Sequence, residues 1–84
     1  MKILYFYLMG HDEERVRRSA ADHAAYWRAL ALPEYQGGPF VDRTGGLITF
    51  DAVDETAARS LVRHDPFVRQ GLIVQSWVTP WATE

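Results

Sequence analysis

Three histidines, four tyrosines and eleven carboxylates are the groups in this chain that can move a proton, and it has no cysteine to act as a thiolate. His23 stands out among them. It shares a stripe with Val16, Ala20, Trp27 and Leu30, and that 4-3-4-3 spacing marks one face of a helix turned toward a core. A histidine there is either a core residue with a hydrogen-bond partner, for which Ser19 and Tyr26 are within helical reach, or a titratable group beside a pocket. In the second case its chemistry is general acid–base catalysis.

Such a histidine works best with a carboxylate on one ring nitrogen, which fixes the tautomer and leaves the other nitrogen for proton transfer. Asp65 and Asp42 are the candidates. Asp65 precedes Pro66 and is equally a ready helix cap. Asp42 opens the turn Asp42-Arg43-Thr44-Gly45-Gly46, where Asp is common for local bonding. Arg43 is a candidate holder of an anionic substrate, or simply a solvated turn residue. Gly37-Gly38-Pro39 either lets backbone approach a ligand or bends a strand.

Other chemistries find little support. His11, His23 and His64 show no metal-ligand spacing, so no metal is expected. The glycine pairs do not sit between a strand and a helix, Ser19 and Ser60 lack a nucleophile-elbow context, and no nucleotide cofactor motif occurs, so no cofactor is expected.

Positioning these groups falls to six main elements. Lys2–Met9 reads as a strand ended by Gly10. Asp12 caps a helix running to about Leu32, with Glu13 and Glu14 in its first turn and Pro33 beyond its end. Glu34–Val41 reads as an irregular strand that Pro39 confines to a sheet edge. Leu47–Phe50 is a third strand. Asp54 caps a second helix ending near His64, a short helical turn follows Asp65-Pro66-Phe67, and Leu72–Val78 is the last strand. The order βαββαβ is that of a ferredoxin-like α+β sandwich, an antiparallel four-stranded sheet with both helices on one face.

That topology gathers the first half of the first helix, the Pro39–Asp42 segment and the His64–Asp65 corner at one rim, bringing His23, Asp42 and Asp65 into one neighbourhood. It also leaves one sheet face uncovered. The first strand has two apolar sides, Leu4, Phe6 and Leu8 against Ile3, Tyr5, Tyr7 and Met9. The last strand sets Leu72, Val74 and Val78 against Ile73, Gln75 and Trp77. Two apolar faces on a small sheet predict a homodimer formed sheet against sheet. Tyr5, Tyr7, Gln75 and Trp77 are read as the polar handles of the second face, lining a cavity or the interface.

Length and composition agree with one domain over residues 1–84, rich enough in apolar residues at 48% to pack a core. With a net charge of −2 and no basic stripe, nucleic acid is not an expected partner. The apolar run Ile3–Met9 is too short to span a membrane and lacks a leader cleavage site, so a cytoplasmic location is expected.

Several pieces in order give the chain a family resemblance. They are Asp22-His23-Ala24-Ala25-Tyr26, Gly37-Gly38-Pro39-Phe40 with Asp42 beyond, Gly45-Gly46-Leu47-Ile48, His64-Asp65-Pro66-Phe67-Val68 with Gly71-Leu72, and the closing Pro80-Trp81. Together the chain resembles the YCII-related family of dimeric α+β barrel proteins. The run Glu34-Tyr35-Gln36 departs from the more regular apolar strand of that family. The resemblance implies a ferredoxin-like protomer, a dimer, and a cleft with a histidine–aspartate pair: His23 with Asp65, and Asp42 as a nearby second acid.

The expected function is therefore a small cofactor-independent enzyme, an isomerase, dehydratase or elimination-type lyase acting on a small cyclic or aromatic-derived metabolite. Tyr5, Tyr7, Phe40 and Trp77 are the expected substrate-binding walls, with Arg43 as anion holder. The alternative is a non-catalytic small-molecule-binding or accessory protein using the same pocket.

Overall fold

The two apolar sides of the first strand meet different surroundings. In the computed structural model, which describes residues 1–84, Ile3, Tyr5 and Tyr7 are buried, whereas Leu4, Phe6 and Leu8 are only partly covered. This strand, β1 (Lys2–Met9), is central in a four-stranded sheet with β2 (Gln36–Pro39), β3 (Gly45–Asp51) and β4 (Ile73–Pro80). The strand order is β2-β3-β1-β4 and every pairing is antiparallel. The expected ferredoxin-like βαββαβ arrangement is therefore the fold observed, with β2 and its Pro39 at an edge, where a missing N–H costs no ladder bond.

Helices α1 (Glu13–Ala29), α2 (Glu55–Arg63) and the single turn α3 (Pro66–Arg69) cover the face carrying Ile3, Tyr5 and Tyr7. Each starts at an aspartate that accepts an orphan backbone N–H. Asp12 takes that of Arg15 at 3.1 Å, Asp54 that of Ala57 at 2.7 Å and Asp65 that of Phe67 at 2.9 Å. Trp27 fills the space between α1 and the sheet, with ring centroids 5.8 Å from Tyr5 and 5.6 Å from Phe50. Burying each such core side chain contributes about 1.5–3 kcal/mol, a margin that lets the same layer hold a carboxylate.

Boundaries differ from the sequence reading where backbone geometry intervenes. Helix α1 stops at Ala29 rather than Leu32, because Ala31 takes the left-handed conformation at φ 49°. The Pro33 carbonyl is then free to accept the Asp51 N–H at 2.9 Å, holding the end of β3. Glu34, at φ 55°, delays β2 to Gln36. No helix is long and apolar enough to cross a membrane.

The face assignment needs correction. Tyr5 and Tyr7 do not share a face with Gln75 and Trp77. In the ladder Trp77 stands opposite Phe6 and Gln75 opposite Leu8, so both lie on the open face. A bulge between Leu8 and Met9 shifts the register there and spoils the simple alternation read along β4. Phe6 collects Phe40 and Trp77 around it, at centroid distances of 5.3 and 5.1 Å.

Candidate active site

Asp65 is fully buried, and four donors converge on it. Oδ1 accepts from His23 Nδ1 at 2.7 Å and from the Phe67 backbone N–H at 2.9 Å. Oδ2 accepts from Trp27 Nε1 at 3.1 Å and from the Tyr5 hydroxyl at the long distance of 3.4 Å. Each oxygen thus faces two donors, and the carboxylate is the shared acceptor of the cluster. Local sequence explains the cap, since Pro66 pre-sets the first helical residue of α3, and the packing of α3 against α1 turns the carboxylate inward.

Because Nδ1 of His23 donates to Asp65, Nε2 is the free acceptor of the neutral ring. It lies 3.2 Å from the Tyr7 hydroxyl, which donates to it. The imidazole is stacked on Phe67, with centroids 4.1 Å apart and planes 14° from parallel, and its side chain remains 12% exposed. Burial, then the Asp65 charge, pushes the Tyr7 phenol well above its ordinary range; Tyr5 is raised by the same two causes. Both stay protonated through the neutral range, so Tyr7 is a hydrogen-bond donor there and not a base.

Tyr7 owes its position to a glycine. Gly46 stands opposite Tyr7 in the β1–β3 ladder, and a Cβ there would lie 2.3 Å from the Tyr7 hydroxyl and 2.9 Å from the Gly38 carbonyl. The ring lies over the space a side chain would occupy. Any other residue at position 46 must displace either the phenol or the backbone of β2.

His23 opens onto a cleft of about 460 Å³. Tyr7, Tyr35, Ile48 and Phe67 supply its walls, Gly37-Gly38-Pro39 its far edge, and Arg28 and Arg43 its exposed margin.

The structure brings together His23, Asp65, Tyr5 and Tyr7, and places Arg43 on the same cleft. It does not bring Asp42 to the histidine. The Asp42 carboxylate is exposed and accepts from the Thr44 hydroxyl at 2.7 Å and the Thr44 N–H at 3.0 Å, bonds that lower its pKa. Asp42 is thus a turn residue, as its local sequence allowed. Tyr5 is fully buried behind Asp65 and does not line the cleft, and Phe40 and Trp77 are removed from the pocket wall, since they flank Phe6 across the sheet. Ser19 and Tyr26 do not satisfy the imidazole either: Ser19 bonds Gln70 and Tyr26 the Leu61 carbonyl.

Several residues of the site escaped the sequence reading, among them the cleft walls Phe67 and Ile48. Trp27 was visible only as an apolar member of the stripe, although it follows His23 by one helical turn and so reaches the same carboxylate. Tyr35 falls in the run that departs from the regular strand pattern, which was the available signal. Arg28 carried none.

A ferredoxin-like α+β protomer with a buried aspartate behind a cleft histidine defines the class. The chain belongs to the YCII-related family, whose domain matches residues 3–82. No curated protein matches it significantly. Among solved structures it is similar to the 5-chloro-2-hydroxyhydroquinone dehydrochlorinase TftG from Burkholderia phenoliruptrix AC1100, in complex with 2,5-dihydroxybenzoquinone. The two are 27% identical with a TM-score of 0.87, and the match covers 100% of this chain and 96% of that one.

Proposed function

We propose that this protein is a lyase that eliminates the elements of an acid HX from a small hydroxylated aromatic ring, with His23 as the acid–base group. The observation that carries this is the His23–Asp65 contact at 2.7 Å, which leaves Nε2 as the one ring nitrogen available at the cleft. The likeness to a dehydrochlorinase of a hydroquinone supports both the reaction type and the ring.

Nε2 accepts the proton of a ring hydroxyl, replacing its contact with Tyr7, and the Asp65 carboxylate stabilises the imidazolium. The ring oxygen's electron pair moves into the ring, and the carbon bearing the leaving group takes up the proton. Loss of a second hydroxyl proton then expels the leaving group with the C–X bond pair. The ring becomes a quinone, the C–X carbon becomes C–H, and HX is released. No external oxidant is required, because the C–X bond receives the two electrons the ring gives up.

Release of chloride from 5-chloro-2-hydroxyhydroquinone, followed with a chloride electrode alongside the quinone absorbance, tests this reading. Enzyme-dependent release above the spontaneous rate is expected. Binding of the ring with no release would instead favour the accessory, ligand-binding role.

The open sheet face is proposed to meet a second copy of the chain. Trp77 is 50% exposed in an aromatic cluster centred on Phe6 that also holds Phe40, on the face no helix covers. Sedimentation should give twice the chain mass, and Trp77→Lys should give a folded monomer. A wild-type chain that sediments as a monomer at micromolar concentration would rule the dimer out.

A further inference from the structure

The cleft has a charge bias that proton transfer by His23 does not require. Arg28 and Arg43 both border it, one from the end of α1 and the other from the β2–β3 turn, and no acidic side chain lines it. The only ion pairs in the molecule are His23–Asp65 and Arg59–Glu55, so neither guanidinium has a carboxylate partner. Asp42 adjoins Arg43 in sequence and, with Glu13, lines the neighbouring hollow, but its carboxylate is engaged by Thr44. Two unpaired guanidiniums on one pocket are an anion-binding arrangement, since each offers a planar fork of donors to an oxyanion.

The hairpin turn fixes where Arg43 stands. Arg43 sits at φ 65°, in the left-handed region that glycine occupies without cost and arginine does not. Its N–H donates to the Phe40 carbonyl at 2.9 Å, and the Phe40 N–H donates to the Gly45 carbonyl at 2.8 Å, so the turn holds that conformation. Tyr35 shows Arg28 at the same margin: burial pushes its phenol up, while the Arg28 charge acts in the opposite direction.

We infer that Arg28 and Arg43 select a ring in its anionic form, holding the oxyanion of a hydroxyquinone or ionised hydroxyhydroquinone while His23 handles the proton. This rests on the aromatic-ring reading above and narrows it. A hydroxyquinone is a vinylogous carboxylic acid and is ionised at neutral pH, so the product of the proposed elimination carries the charge that the arginines would hold.

Calorimetric titration with 2,5-dihydroxybenzoquinone as the anionic probe and hydroquinone as the neutral one tests the inference without turnover. The wild-type protein should bind the anion about tenfold or more tightly than the neutral ring. Arg28→Gln and Arg43→Gln should each weaken the anion about tenfold and leave hydroquinone unchanged, and the double variant should lose the preference. Arg43→Gly should lose anion affinity while its Tm holds or rises, because glycine relieves the left-handed strain.

Anion affinity unchanged in both arginine variants, equal weakening of both probes, or no anion binding at millimolar concentration would each overturn the inference. Arginine-dependent binding without chloride release overturns the lyase reading alone. Chloride release indifferent to both arginines overturns the anion-selection inference alone.

Discussion

His23→Asn is expected to give a folded protein whose turnover is reduced on the order of 10²–10⁴-fold, the usual contribution of a general acid–base group. The asparagine amide can keep a donor near the position of Nδ1, so Asp65 still receives a bond there, and Tyr5, Trp27 and the Phe67 N–H continue to hold it. What disappears is a titratable acceptor at the cleft. His23→Ala removes the donor and the stacked ring as well, which should cost about 1–3 kcal/mol. For a domain of this size each kcal/mol lowers Tm by about 4–8 °C. The two effects separate in one pair of measurements, a melting curve and a steady-state rate. A His23→Asn protein that turns over normally would remove the histidine from the chemistry. A protein that fails to fold in both variants would make it a core residue.

Asp65→Ala should be the most damaging single substitution in the molecule. It leaves His23 Nδ1, Trp27 Nε1, the Tyr5 hydroxyl and the Phe67 N–H without their shared acceptor, in a structure with no other unpartnered buried side-chain polar atom. Removing one partner of a buried charged network costs about 3–5 kcal/mol. A chain of this length has a total margin of about 4–13 kcal/mol, so the variant should melt well over 10 °C lower or fail to fold.

Asp65→Asn divides structure from charge. Its carbonyl oxygen can remain toward His23 and Phe67, while its NH₂ meets Tyr5, whose hydroxyl can turn to accept, and Trp27, whose N–H cannot. One orphaned donor costs about 1–3 kcal/mol. Activity should fall by more than that loss of stability explains, because the imidazolium would no longer face a negative charge. Urea denaturation alongside kcat makes the comparison. A stable Asp65→Asn protein with full turnover would show that the contact only supports the fold.

The order of elements was legible from local chemistry. Aspartates at 12, 54 and 65, the unbroken aliphatic and aromatic run of β1 and prolines at 33, 39 and 66 mark starts, ends and edges, since each acts on its own backbone within a turn. His23 on its stripe and Asp65 at its cap were visible for the same reason. Topology then placed them at one rim, because antiparallel connections constrain which ends coincide.

The contents of that rim required the folded molecule. Asp42 and Asp65 look alike as turn and cap residues, and only packing turns one inward while Thr44 holds the other at the surface. Aromatic residues at Phe40 and Trp77 have the chemistry of pocket walls, yet the pairing of Trp77 with Phe6 and the packing of Phe40 on Phe6 put them across the sheet. Arg28 had no motif, and its place on the cleft follows from where α1 happens to end. The sequence by itself determined the elements, their order and the two residues at the centre of the site, because those depend on neighbours along the chain. Only the tertiary structure decided which carboxylate meets the imidazole, which face each aromatic takes and which cations border the cleft, because those depend on register and packing between segments far apart in the chain.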